Sequence, residues 1–198
     1  MPDTGVLNFQ TQTGAWDTST PGFGATGTVL SDDGNYSAAL SGTTSCVIDD
    51  SSGTDVPSGA TITGMEVFAT DTGYLSSFAA ASLKVEVSIN NGTSYGSTSL
   101  TEALTSSSTL TPTTDITFGS SSQLWGITWP STGFDVSLLN IKLTNIRTGF
   151  GLSHFDHISA KIHYIAGVTA DSLSTINGSL KIKNGGKVQI INGKLLIN

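Results

Sequence analysis

The segment Ser82-Leu-Lys-Val-Glu-Val-Ser-Ile89 alternates without a break, with Leu83, Val85, Val87 and Ile89 on one side and Lys84, Glu86 and Ser88 on the other. Successive side chains of a strand point to opposite faces, so a period of two fits a strand with one buried and one wet face. The pattern recurs. Ile141, Leu143 and Asn145 share a face within Leu138–Ile146. Ile158, Ala160, Ile162 and Tyr164 share one within 157–165, which leaves His157, Ser159, Lys161 and His163 for the solvent side. In Thr61–Ala69, Ile62, Val67 and Ala69 are interrupted at Gly64, which marks a bulge or a close backbone approach. Asn90-Asn91-Gly92 is a tight-turn signal. No stretch holds a helical period for three turns. Leu100–Leu110 comes nearest, and Ser106-Ser107-Ser108 undercuts it.

Composition agrees with strands. Serine and threonine together number 57 and glycine 23, while only 12% of residues are charged. Threonine suits a pleated, half-exposed surface, and serine and glycine suit turns. The expected fold is all-β: an antiparallel β-sandwich of jelly-roll type over residues 1–167, followed by a β tail over 168–198. Strand order is not legible. Cys46 is the single cysteine, so an internal disulfide is excluded and a buried thiol is expected.

The tail differs from the body in charge. Ser172–Asn198 holds Lys181, Lys183, Lys187 and Lys194 and no acid, whereas the remainder carries all 15 acidic residues. It reads as three approximate units, NGSLKIK, NGGKVQI and NGKLLIN, each opened by an Asn-Gly pair that favours the type I′ hairpin turn. Such units would form a small meander or an intertwined tail completed by symmetry mates. A two- or three-stranded unit is marginal alone in water. Leu180, Ile182, Val188, Ile190, Leu195 and Ile197, with Ile191, therefore need a cover, and the lysines would orient the contact. The expected partner is the chain itself, as a homotrimer, or another subunit of a larger assembly.

Several function classes are disfavoured. A net charge of −7 sets the body against nucleic acid. No apolar run approaches the roughly 18 residues that span a membrane. The start MPDTGVLNFQ lacks the basic and apolar segments of a signal peptide, as expected for a protein assembled in a cytoplasm and released by lysis, or for one whose leader has been removed. Hydrolase, Walker and dinucleotide signatures are missing. Glu66, Glu86 and Glu102 are the only glutamates, and the first two fall on strand faces where charge is simply solvated. No enzyme activity is expected.

Two kinds of binding site remain. Trp16, Tyr74 and Tyr95 are candidates for stacking on sugar rings, while Trp125 and Trp129 read as a turn at the core edge. Asp32-Asp33-Gly-Asn35 offers oxygens to a calcium ion but lacks EF-hand spacing, and an ordinary turn is the simpler reading. His154-Phe-Asp156-His157 has metal-ligand residue types, with His154 and Asp156 on one face, and otherwise reads as a polar strand entry. No cofactor is expected; calcium is the candidate ion for the aspartate turn, and the histidine cluster could supply part of a zinc or nickel site, with His163 the one further candidate ligand.

Three segments together carry a resemblance. Val56-Pro-Ser-Gly-Ala-Thr-Ile-Thr-Gly-Met-Glu-Val67 is followed by Leu124-Trp-Gly-Ile-Thr-Trp-Pro130, and Asp156–Tyr164 closes the series. Over about residues 14–165 this order resembles a loosely defined group of β-sandwich domains of bacteriophage virion and tail-associated proteins. Its members share an IPSGATI-x-GI-x-V strand, a WG-x-x-W turn and a closing D-x-[IV]-x-[IV]-x-[VI]-x-Y strand. The resemblance implies a jelly-roll-like fold and a structural or adhesive role in a virion: capsid decoration, head fibre or tail fibre. Other virion proteins would be partners, with a host-surface glycan as a ligand in the adhesive case. It carries no catalytic residues. Leu75–Ala81 is more apolar than a loop of that group and marks a candidate interface.

Overall fold

The computed structural model describes residues 2–16, 28–39, 43–75, 80–107, 114–149 and 151–167, with four tail segments, 173–176, 179–182, 188–191 and 194–197. Two sheets pack face to face. The first contains β1 (Leu7–Asn8), β3 (Ser37–Ala39), β5 (Thr61–Leu75), β8 (Ser106–Ser107), β9 (Thr114–Ser120), β11 (Leu152–Phe155) and β12 (His157–Ile165). The second has the order β2 (Thr11–Gly14), β4 (Thr44–Asp49), β10 (Asn140–Thr148), β6 (Ala80–Ser88), β7 (Leu100–Ala103). The pairings are antiparallel apart from β5 with β8. From β4 to β12 the chain repeatedly changes sheet, which gives the jelly-roll character.

The alternation seen in sequence sets the core. Leu83, Val85 and Val87 on β6 and Ile141 and Leu143 on β10 are fully buried, and they face Ile158, Ala160 and Ile162 of the other layer. Each large aliphatic removed from water contributes about 1.5–3 kcal/mol. Ser88 differs from expectation and is buried, because its hydroxyl serves the following turn: it donates to Asn90 Oδ1 and accepts the Gly92 amide. Leu100–Ser107 contains two strands and no helix. Cys46 is buried, and burial pushes its thiol well above the usual range, so it stays protonated and inert.

The long strand β5 changes phase twice. Its register with β12 slips where His163 pairs Gly64 and Tyr164 pairs Ile62, leaving Thr63 extra. That is the bulge expected at Gly64. A side chain at Gly64 would stand 2.4 Å from the Ser121 backbone, so the close approach is present too. The second slip, against β9, lies between Ala69 and Thr72, and Asp71 there takes φ +47. It returns Thr72 to the buried side.

Asn145 sits on the inward side of β10, fully buried, with neither Oδ1 nor Nδ2 in a hydrogen bond. An unsatisfied buried amide destabilises by about 1–3 kcal/mol. Asn145→Leu, close in shape, is therefore expected to raise the urea midpoint by a corresponding amount. An unchanged or lower midpoint would contradict this.

The tail forms two separate antiparallel hairpins. β13 (Leu173–Ile176) pairs β14 (Ser179–Ile182) with Ile176 opposite Ser179, and β15 (Val188–Ile191) pairs β16 (Lys194–Ile197) with Ile191 opposite Lys194. The Asn-Gly pairs between these strands, Asn177-Gly178 and Asn192-Gly193, lie outside the described residues. So do Asn184-Gly185, Lys183 and Lys187.

Candidate functional site

One end of the sandwich is built from two loops, 89–99 and 121–131, each folded around a turn. In Asn90–Thr93 the Thr93 amide donates to the Asn90 carbonyl, and the central Asn91 and Gly92 have φ of 56 and 73. In Leu124–Ile127 the Ile127 amide donates to the Leu124 carbonyl, and the central Trp125 and Gly126 have φ of 59 and 64. Two positive φ values are the pattern of the type I′ turn, which Asn and Gly adopt readily and a bulky residue does not. Trp125 is held there by its ring, which is fully buried with Nε1–H donating to the Met65 carbonyl at 2.9 Å. The loops are joined through the backbone, the Thr98 amide donating to the Trp125 carbonyl and the Ser97 amide to that of Gly126.

Two open hollows flank the 121–131 loop, one shared with 89–99 and the other with the start of β5. One, of about 230 Å³, contains Tyr95, Asn90, Ser94 and Ser88. The other, of about 280 Å³, contains Trp129, Leu124, Ile62 and Ser131. Ile127 and Thr128 line both, so the hollows adjoin, Tyr95 lining the first and Trp129 the second; the pair is called the groove below. Trp129 donates its Nε1–H to the Leu124 carbonyl at 3.2 Å, lies at right angles to the Phe134 ring, and is half-buried against the core beside the second hollow. Tyr95 carries the Lys142 ammonium 5.7 Å from its ring centre. Burial, then Glu86 and Asp49, raise the Tyr95 phenol above its usual value, so it remains a hydrogen-bond donor at neutral pH. No residue lining either hollow is charged.

The three aromatic candidates separate. Trp16 is only 4% exposed, stacked on Phe155 at 4.4 Å, with Nε1–H directed at the Thr44 carbonyl. It is a core residue and presents no free ring face, which corrects its reading as a binding platform. Tyr74 is half-buried near the other end of β5, a dozen residues beyond Ile62, or roughly 40 Å at strand rise. Tyr95 alone reaches the groove. Trp129 joins it in place of the others; the signal was its spacing of four from Trp125 across a Gly turn.

The acidic candidates also rearrange. Asp32, Asp71 and Asp156 converge, each with a carboxylate oxygen within 4.8 Å of the others. Asp156 lies in the break between β11 and β12, opposite the second slip of β5, where Asp71 sits. Asp33 stays out: its carboxylate accepts the Ser31 hydroxyl and the Asn35 amide, which hold its pKa below the usual value. His154 also falls outside the carboxylate cluster, buried edge-on to Tyr36, so the His154–Asp156 pairing is replaced by a triad of aspartates. Burial lowers the His157 pKa despite Asp32, Asp156 and Asp33, leaving the imidazole neutral at pH 7. The glutamates on strand faces pair with bases, Glu66 with His163 at 2.8 Å and Glu86 with Lys84 at 3.0 Å.

Of the assembly residues, Leu180, Lys181 and Ile182 fall on β14, Val188 and Ile190 on β15, and Lys194, Leu195 and Ile197 on β16. No protein-family model matches the chain, and no curated protein does. Among solved structures, the chain is similar to a carbohydrate-binding module in complex with beta-1,4-galactotriose, over 77% of this chain and 89% of that one, at 12% identity and a TM-score of 0.36.

Proposed function

We propose that this chain is a non-enzymatic, glycan-binding attachment subunit whose groove takes a short stretch of neutral polysaccharide and whose tail joins copies of the chain. The groove between Tyr95 and Trp129 carries this reading. A pyranose has an apolar C–H face that packs on an aromatic ring and a rim of hydroxyls that needs neutral donors and acceptors. Tyr95 and Trp129 supply the rings, and Asn90, Ser94, Thr128 and Ser131 supply the polar partners. The lining residues are uncharged, the nearest cation being Lys142 over one face of the Tyr95 ring, and without a carboxylate pair there the groove has no machinery for hydrolysis. The sequence resemblance to virion proteins supports reading the ligand as a host-surface glycan and the subunit as an exterior part of a tailed phage.

Affinity electrophoresis through gels containing host-surface polysaccharide tests the reading. Tyr95→Ala and Trp129→Ala are each expected to weaken retardation about tenfold, equivalent to about 1.4 kcal/mol. Trp16→Phe should leave it unchanged. Wild-type protein that passes unretarded through every neutral polysaccharide of its host would overturn the proposal.

A second reading, a purely structural virion subunit, is supported by the two C-terminal hairpins, each of which has only its own two strands in its sheet. Particles that incorporate the protein while it binds no glycan would favour that reading.

A further inference from the structure

We propose that Asp32, Asp71 and Asp156 form a calcium-binding site that clamps three distant segments of the sandwich together. The three carboxylates come from the loop before β3, the second slip of β5 and the break between β11 and β12. Oxygens that share one calcium ion lie about 2.3–2.6 Å from it, and so no more than roughly 5 Å from one another. The observed limit of 4.8 Å meets that requirement without any movement of the chain.

Asp156 gives the independent sign of a missing ligand. The residue is fully buried; Oδ2 accepts the Gly34 amide at 3.1 Å and the Asp33 amide also faces the carboxylate, while among the described residues Oδ1 makes no hydrogen bond of normal geometry. A buried carboxylate oxygen without a partner is expensive unless a cation meets it. None of the ion pairs among the described residues involves Asp32, Asp71 or Asp156. Asp115 adds further negative charge, its Oδ1 accepting the Asp71 amide at 3.1 Å.

The donor chemistry selects the ion. All three ligands are hard oxygens on irregular backbone, with no thiolate or imidazole in the triad, which disfavours zinc. Magnesium demands a nearly ideal octahedron and keeps most of its waters, whereas calcium accepts six to eight oxygens in flexible geometry and can add carbonyls and waters. Three carboxylates with no dedicated loop fit the weaker range, with a Kd of roughly 0.1–1 mM. The site lies about nine residues along β5 from Ile62 at the groove, roughly 30 Å, so it does not depend on the glycan reading.

The test uses the full chain, freed of divalent ions with a chelator and then titrated with calcium chloride alone. Melting temperature and isothermal titration heats are recorded together. Wild type should bind one ion saturably and melt a few degrees higher at several times the Kd. Asp71→Asn and Asp156→Asn should fold and lose both effects. Asp156→Asn also removes the buried charge, so its ion-free form should melt no lower than ion-free wild type. The proposal is overturned if wild type shows neither heat nor shift, if both asparagine variants respond as wild type does, or if magnesium acts as strongly as calcium.

Discussion

Trp125→Ala is expected to destabilise the sandwich by about 3–5 kcal/mol, the range for losing a large buried aromatic. Against a total of about 5–15 kcal/mol for an ordinary domain, that leaves the variant marginal. The ring is fully buried, and its N–H holds the Met65 carbonyl just beyond the first slip of β5. Gly119 is packed so tightly beneath the indole that a β-carbon there would stand 3.1 Å from Cζ2. The ring is also what keeps a bulky residue at φ +59, and with it the turn that forms one wall of the groove. Trp125→Phe retains most of the volume but loses the hydrogen bond, and should cost less. Urea denaturation followed by circular dichroism separates the two. If Trp125→Ala shifts the midpoint no more than Trp125→Phe, the indole is not the anchor described here.

Removal of residues 172–198 is expected to convert an oligomer to a monomer while leaving the melting of the body unchanged. An isolated two-stranded hairpin is marginal in water, and the tail contains two. The register alternates their apolar pairs with polar or mixed ones: Leu173 opposite Ile182 is followed by Ser174 opposite Lys181, and Val188 opposite Ile197 by Gln189 opposite Leu196. On the proposed reading, the alternating aliphatic residues of these four strands are covered by other copies of the chain. Covering one aliphatic contributes about 1.5–3 kcal/mol, against about 0–1 for an exposed ion pair. Salt should therefore weaken assembly much less than the deletion does. Light scattering and analytical ultracentrifugation read the mass directly. A truncated chain with the mass of the full-length oligomer would remove the tail from assembly.

How much of this was legible in the sequence follows from the range of each interaction. The strands of the two layers were readable because a period of two is local, and Leu83–Val87 and Ile158–Ile162 behave as their pattern requires. Gly64 was readable as a bulge for the same reason. Ser88 was not, because its burial depends on a turn that consumes its hydroxyl. Trp16 looked exposed among polar neighbours, but Phe155, distant in sequence, covers it. Trp125 and Trp129 read as a core-edge turn and form one: the left-handed turn after Leu124 buries the first in the core, and the second packs half-buried against it beside the hollow. Asp32 and Asp156 were each noticed, in different settings. Only the fold brings them to Asp71, whose local sequence carries no signal of its own.

The glycan groove is tested most directly by amide chemical-shift mapping of isotopically labelled protein during titration with oligosaccharides prepared from the host-surface polysaccharide. Progressive, saturable shifts should cluster in residues 88–96 and 124–131, with the Tyr95 and Trp129 signals moving most. Saturable shifts confined elsewhere, such as the hollow of about 290 Å³ beside Val6 and Phe68, would contradict the assignment, as would a spectrum unchanged at saturating sugar.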